Sequence, residues 1–238
     1  MTWSIIARDK NTGQFGIAVA TRFFAVGGLV PHLKSGVGAI ATQALVNLFY
    51  GTDGLRLLEQ GASAEEVVAT VTAADSGRDQ RQVHAIDTQG GTAAHTGKSC
   101  IDWCGHVAGD NFSVAGNMLA GPRVIEDTAA AYAKNAALSF PRRLIAAMRA
   151  GEAAGGDKRG KQSAALVICG EEEWPDLNLR VDDHAEPLAE LERLESVSRE
   201  RLVHFMAMWP RRRDRIGITD RDAIERKIAE AATAERSS

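Results

Sequence analysis

The stretch Met1-Thr2-Trp3-Ser4-Ile5-Ile6-Ala7-Arg8-Asp9, then Lys10-Asn11-Thr12-Gly13, then Gly16-Ile17-Ala18-Val19-Ala20-Thr21-Arg22, decides how this chain is read. Two apolar, β-rich runs flank a polar turn with glycine, so a β-hairpin is expected to begin at residue 2. Termini are ordinarily left free, and few proteins commit their first residues to a core strand. Removal of Met1, which a small second residue permits, would leave Thr2 at the chain end. Such a threonine carries its own nucleophile and, in its free α-amine, its own base. A retained Met1 would instead bury that amine in a peptide bond. Thr2 can also serve simply as a β-branched strand starter.

The chain has 238 residues, enough for one large domain or one domain with an appendage. At 45% hydrophobic and 25% charged residues it falls in the ordinary range of globular proteins. Aromatics are only 5%, so the expected core is built from small aliphatic side chains. The net charge of -3 supplies no electrostatic reason to expect a nucleic-acid partner. No run approaches the roughly 18 apolar residues of a membrane span. Arg8, Asp9 and Lys10 interrupt the first apolar run, which argues against a secretory signal, and a cytoplasmic location is expected. Cys100, Cys104 and Cys169 cannot all pair within one chain. His95, Cys100, Cys104 and His106 cluster at spacings that zinc can use. Gly-punctuated strands would send those side chains to opposite faces, however, so neither metal nor cofactor is expected.

After the opening hairpin come a Val30-Pro31-His32 turn and a β-capable run over 36–44. Tyr50-Gly51-Thr52-Asp53-Gly54 introduces a helix over 55–61, closed by Gly61. Ser63, with Glu66 three residues on, has the form of a capping box for a second helix. Strands are expected over 82–87 and 92–96, and a short strand over 112–117 ending in a Gly116-Asn117 turn. An Ala-rich helix follows from about Pro122, another spans 140–149, and a glycine-rich loop over 151–161 feeds a strand over 163–169. Residues 177–181 can add a strand. Residues 186–208 and 220–232 are charged and helical, joined by Trp209-Pro210-Arg211-Arg212-Arg213, a solvated helix exit flanked by acids. Strands before each helix pair imply sheets sandwiched between helix layers.

Two strand-adjacent loops, 116–121 and 155–160, are bracketed by glycines. Glycine allows close approach of backbone N–H groups to a ligand, where they can stabilise an oxyanion. The second loop is not a Walker A loop, because it enters a strand and lacks the Gly-Lys-Ser/Thr ending.

Three of these segments resemble the N-terminal nucleophile (Ntn) hydrolases, whose best-known members are the proteasome β subunits. They are the hairpin from Thr2 to Arg22, the strand-glycine-helix segment from Phe112, and Asp157 in a glycine-rich loop before Ser163. More narrowly, residues 2–184 resemble a small bacterial family of Ntn-like proteins, a domain of unknown function numbered ten twenty-eight. The segments carrying that likeness are 22–27, 30–32, 42–44, 77–82, 116–121, 153–163 and 179–184. The resemblance implies an α+β fold, a four-layer αββα sandwich over 1–184, with a helical C-terminal extension over 185–238. Proteasome-type subunits also have an aspartate before the arginine of the second strand and a lysine opening the third. Here those places hold Ala20 or Thr21 and the stretch His32, Leu33, Lys34.

The expectation is therefore an amidohydrolase acting on a small amide or short acyl-amino acid. Thr2 would attack, the α-amine would relay the proton, and Asp157 would orient them. His32 could shuttle a proton, or merely cap a turn; Lys34 could stand in for the missing lysine. Backbone N–H groups at Gly116-Asn117 or Gln43-Ala44 would hold the oxyanion, and Arg22 and Arg159 would pair with a substrate carboxylate or with Asp157. The partners implied are a small-molecule substrate and copies of the same chain. Two other readings stand beside it: a non-catalytic oligomeric binding protein, and a hydrolase using His32, Asp157 and water or metal.

Overall fold

A computed structural model describes residues 2–236. The opening hairpin forms as β1 (Thr2–Arg8) and β2 (Phe15–Thr21), antiparallel, with Trp3 opposite Ala20. β3 (Pro31–Lys34) and β4 (Gly38–Ala44) follow. The residues read as a Val30-Pro31-His32 turn thus open a strand instead. It lies at the edge of its sheet, and a strand's first residue on an edge tolerates the missing N–H of proline.

Helix α1 (Phe49–Glu59) starts well before the expected 55. Its Gly51 and Gly54 are packing positions rather than turn formers: a Cβ on Gly51 would lie 2.2 Å from the His32 ring, and one on Gly54 2.4 Å from Ile40. Helix α2 (Ala64–Ala73) carries the expected capping box, with Ser63 and Glu66 bonding each other's backbone N–H.

The chain then forms β5 (Arg81–Asp87), β6 (Thr92–Thr96), β7 (Trp103–Gly109) and β8 (Phe112–Leu119). Strand β8 runs through Gly116-Asn117 rather than turning there, because the backbone of Gly116 is paired to Trp3 on one side and Gly105 on the other. Helices α3 (Arg123–Lys134) and α4 (Phe140–Ala153) come next. Helix α4 extends past 149 because Gly151 is tolerated where side chains crowd it, 2.2 Å from Thr128 Oγ1 to an added Cβ. Strands β9 (Ser163–Cys169) and β10 (Pro175–Val181) precede helices α5 (Pro187–Glu200), α6 (Leu202–Met206) and α7 (Arg221–Arg236).

This is a mixed α/β fold with two antiparallel sheets and, among the described residues, seven α-helices. One sheet has six strands in the order β10-β9-β2-β1-β8-β7, the other four in the order β3-β4-β5-β6. Helices α1 and α2 contact the four-stranded sheet, α3 and α4 the six-stranded one, and the sheets meet through β1, β2 and β8 against β4 and β5. By compactness the chain divides into a unit ending at Leu191 and a second from Glu192 onward. None of the described helices is long and apolar enough to cross a membrane.

The space between the sheets is polarised along the strands. Ile6, Phe15, Ile17, Val19, Ala39, Ala41, Ile86 and Ala165 form a continuous apolar core there. Two residues closer to the start of β1 the same face turns polar, with Ser4, Gln43, Gln82, His84, Ser113 and Asn117 all buried. Strand alternation explains the placement: Thr2, Ser4 and Ile6 share one face of β1, while Trp3 on the other face lies beside Gly151 of α4.

Candidate functional site

Thr2 opens the central β1, between β2 and β8, and is buried. Its hydroxyl lies 3.2 Å from Thr21 Oγ1 on β2. On the other side it pairs in register with Asn117. The side-chain amides of Asn117 and Gln43 both donate to the Thr2 carbonyl, each at 3.4 Å. The residue proposed as nucleophile is therefore held by its backbone from two directions, through one amide from each sheet.

Behind Thr2 the polar groups form a chain whose direction can be derived. The Gln43 amide nitrogen faces the carbonyl oxygens of Ala115 at 3.1 Å, Gln82 Oε1 at 2.8 Å and Thr2, so its nitrogen and oxygen cannot be exchanged. Gln43 Oε1 then accepts, and the Ser4 hydroxyl must spend its hydrogen there, at 2.8 Å. Ser4 Oγ, 2.9 Å from His84 Nε2, is left to accept, so His84 carries its proton on Nε2. Its bare Nδ1 accepts from Ser113 Oγ at 3.1 Å. The order of donation is Ser113, His84, Ser4, Gln43, Thr2. Burial pushes His84 down to about 3, with the nearby His106 adding to the effect. A second branch runs from Gln82 Nε2 to Gly105 O, Gly116 O and Thr96 Oγ1, and Thr96 Oγ1 bonds His106 Nδ1 at 2.9 Å. Nearly every buried polar group needs a partner, and this network supplies them.

The glycine-rich loop crosses the start of β1. Ala120 N donates to Gly156 O, Leu119 bridges to Asp157, and Arg22 N donates to Asp157 Oδ2 at 2.7 Å. The loop thus ties the end of β8 to the end of β2, on either side of Thr2. Gly155, Gly156 and Gly160 have φ of 116°, 52° and 108°, a region that favours glycine, which explains their density here. Asp157 also accepts from Arg159 N at 2.8 Å and lies 3.3 Å from the Arg159 guanidinium. The Arg22 guanidinium donates to Gln162 Oε1 at 3.0 Å.

His32 is not brought to Thr2. It pairs with Ile40 on β4, and both point at α1, whereas Gln43 points at the other sheet. Burial lowers its pKa, partly offset by its bond to Leu29 O. Lys34 is an exposed partner of Glu59 at the end of α1. Gly116 lies mid-strand with its carbonyl accepting from Gln82. His95 bonds Arg78 O, His106 bonds Thr96, and Cys104 Sγ donates to Cys100 O. Sequence reasoning missed Ser4, Gln82, His84 and Ser113 as site neighbours.

Two pockets are notable. The larger, about 550 Å³, is an open groove between α1 and α2. Its charged members are already matched: Arg56 pairs with Asp53, and Asp75 accepts from Asn47, Gly77, Tyr50 and Arg81. Those bonds, led by Asn47, hold the Asp75 carboxyl well below the usual carboxylate range. The smaller, about 250 Å³, opens on the Asn117 side of Thr2, lined by Ala44, Leu45, Gln80, Ser99, Cys100, Ile101, Asn117 and Met118.

The fold and site define a mixed α/β protein whose first strand carries a threonine at the polar end of an inter-sheet interior. The sequence matches the Family of unknown function (DUF1028) over residues 2–191, and the chain belongs to that family. A solved member, protein SPO2555 from Silicibacter pomeroyi, is 35% identical with a TM-score of 0.84, covering 92% of this chain and 99% of its own. Anbu (ancestral beta-subunit) from Yersinia bercovieri is 12% identical with a TM-score of 0.39, over 88% of this chain and 98% of its own. No curated protein matches the sequence.

Proposed function

We propose that the fold is a four-layer αββα sandwich of the Ntn type and that the protein is an amidohydrolase acting through Thr2 as its mature N-terminus. The observation that carries this reading is the setting of Thr2: buried at the head of the central strand, its hydroxyl against Thr21 Oγ1 at 3.2 Å, its carbonyl held by Gln43 and Asn117. Any buried threonine must satisfy these groups; what marks Thr2 is that amides from both sheets converge on the carbonyl of the residue that opens the central strand.

In the proposed reaction Thr2 Oγ attacks the amide carbon of the substrate while its proton passes to the α-amine. An α-amine has an ordinary pKa of about 7.7–8.0, suited to that exchange near neutrality. The ammonium then protonates the departing nitrogen, the C–N bond breaks, and an ester to Thr2 remains. Water, deprotonated by the same amine, hydrolyses the ester. The Thr21 hydroxyl orients Thr2 Oγ, and Asp157 acts as a positioning residue by fixing the backbone of Arg22, next to Thr21. Oxyanion donors are sought at the bulge near Asn117-Met118, where the ladder is disturbed, and at Ala44, whose positive φ ends its strand, so that N–H groups there can point away from the ladder. Arg22 and Arg159 serve the loop, since their guanidinium groups already meet Gln162 and Asp157.

The test is a panel of small amides assayed with protein whose N-terminus has been established by mass. Thr2→Ala is expected to abolish turnover with an unchanged melting curve, and Thr2→Ser to retain part of it. Unchanged turnover in Thr2→Ala would overturn the assignment.

A further inference from the structure

We propose that the pocket on the Asn117 side of Thr2 is a binding subsite for a small, neutral, apolar group, such as a branched aliphatic or aromatic side chain or acyl tail. As a substrate subsite it rests on the Thr2 reading; as a binding site it does not.

Independent observations converge. The pocket adjoins the candidate nucleophile through Asn117, which both lines it and bonds the Thr2 carbonyl. Its volume of about 250 Å³ is just under the usual range for drug-sized ligands, about 300–1,000 Å³, so it suits part of a small molecule. No Lys, Arg, Asp or Glu lines it among the described residues. A charged group entering it would lose hydration with no charged side chain in the lining to replace it, whereas an apolar group gains by leaving water. Cys100 keeps to this pattern, because burial raises its pKa and favours the neutral thiol.

The walls are also specially shaped. Ala44 and Met118 line the pocket with φ of 69° and 54°, the left-handed region that strains non-glycine residues. Such strain clusters at ligand sites. Leu45 and Ile101 leave apolar side chains 62% and 61% exposed at the pocket, surface that a bound apolar group would cover. Met118 adds an adaptable thioether wall. The larger α1–α2 groove shares neither the strained walls nor the adjacency to Thr2, and its charges are paired.

The test reads binding and needs no turnover. Methyl-labelled methionine gives a resonance for Met118, assigned by Met118→Leu, and is titrated with 3-methylbutanamide, succinamate and 4-aminobutanamide. The neutral amide is expected to shift the Met118 resonance saturably and to bind at least about tenfold tighter than either charged probe. Ile101→Lys, at an exposed position, is expected to weaken 3-methylbutanamide and tighten succinamate. Equal or tighter binding of the charged amides, no saturable shift with any probe, or selectivity untouched by Ile101→Lys would each overturn the proposal. Repeating the titration on Thr2→Ala separates the two readings: retained binding with unchanged turnover sinks the nucleophile and leaves the subsite standing.

Discussion

Replacing His84 with glutamine removes a titrating group fully enclosed between the sheets near Thr2, while the new amide can still donate to Ser4 and accept from Ser113. In the folded chain His84 is neutral, held down to about 3 against an ordinary value of 6.5. The unfolded chain therefore binds one more proton than the folded chain between those two values. Stability is undiminished above 6.5 and falls as the pH drops below it, by about 1.4 kcal/mol per pH unit for one proton. From neutrality to pH 5 the loss from His84 is on the order of 2 kcal/mol, a figure that requires only that the folded value lie well below 5. His32 and His106, whose values burial also lowers, titrate in both proteins and cancel in the comparison. Urea unfolding of the wild type and His84→Gln at about pH 7, 6 and 5, followed by circular dichroism, measures the difference in slope. Whatever the substitution costs at neutrality drops out of that difference. Identical pH dependence in the two proteins would show that burial does not hold His84 neutral.

Gln43→Met keeps the volume but takes the only partner given to the Ser4 hydrogen and an amide donor from the Ala115 and Thr2 carbonyls. Unsatisfied buried groups cost about 1–3 kcal/mol each, so a loss of about 2–5 kcal/mol is expected, seen as a fall in Tm of roughly 5–15 °C. A variant as stable as the wild type would show that Gln43 does not tie the sheets together. Gly51→Ala sets a methyl about where the His32 ring sits, and overpacking predicts a loss of about 1–3 kcal/mol by urea unfolding. His32→Ala in the same background should recover part of it, and no recovery would mean that the clash lies elsewhere.

The opening hairpin was legible because two apolar, β-rich runs flank a polar turn with glycine, and the loop that holds Asp157 because its glycines mark a segment that needs positive φ. The interior network was not. Gln82 and His84 alternate with Val83 and Ala85, the pattern of a strand with one face in water; here that face meets a second sheet instead. Polar residues on several otherwise apolar strands are the signal that could have revealed a polar layer. His32 misled because sequence cannot say which face of a short edge strand it takes, and its pairing with Ile40 turns it toward α1. The neutral pocket joins segments near 44, 80, 100 and 117, which no local motif links.

The proposed reaction requires Thr2 to act through a free amine. The most direct measurement is intact and peptide mass spectrometry of the protein from its native cells, before and after treatment with a β-lactone acylating agent carrying an apolar side chain. The expected result is a mature chain beginning at Thr2 and a single acyl adduct on that residue, absent in Thr2→Ala. A chain that keeps a residue joined to the Thr2 nitrogen, or an adduct that forms elsewhere, would contradict it.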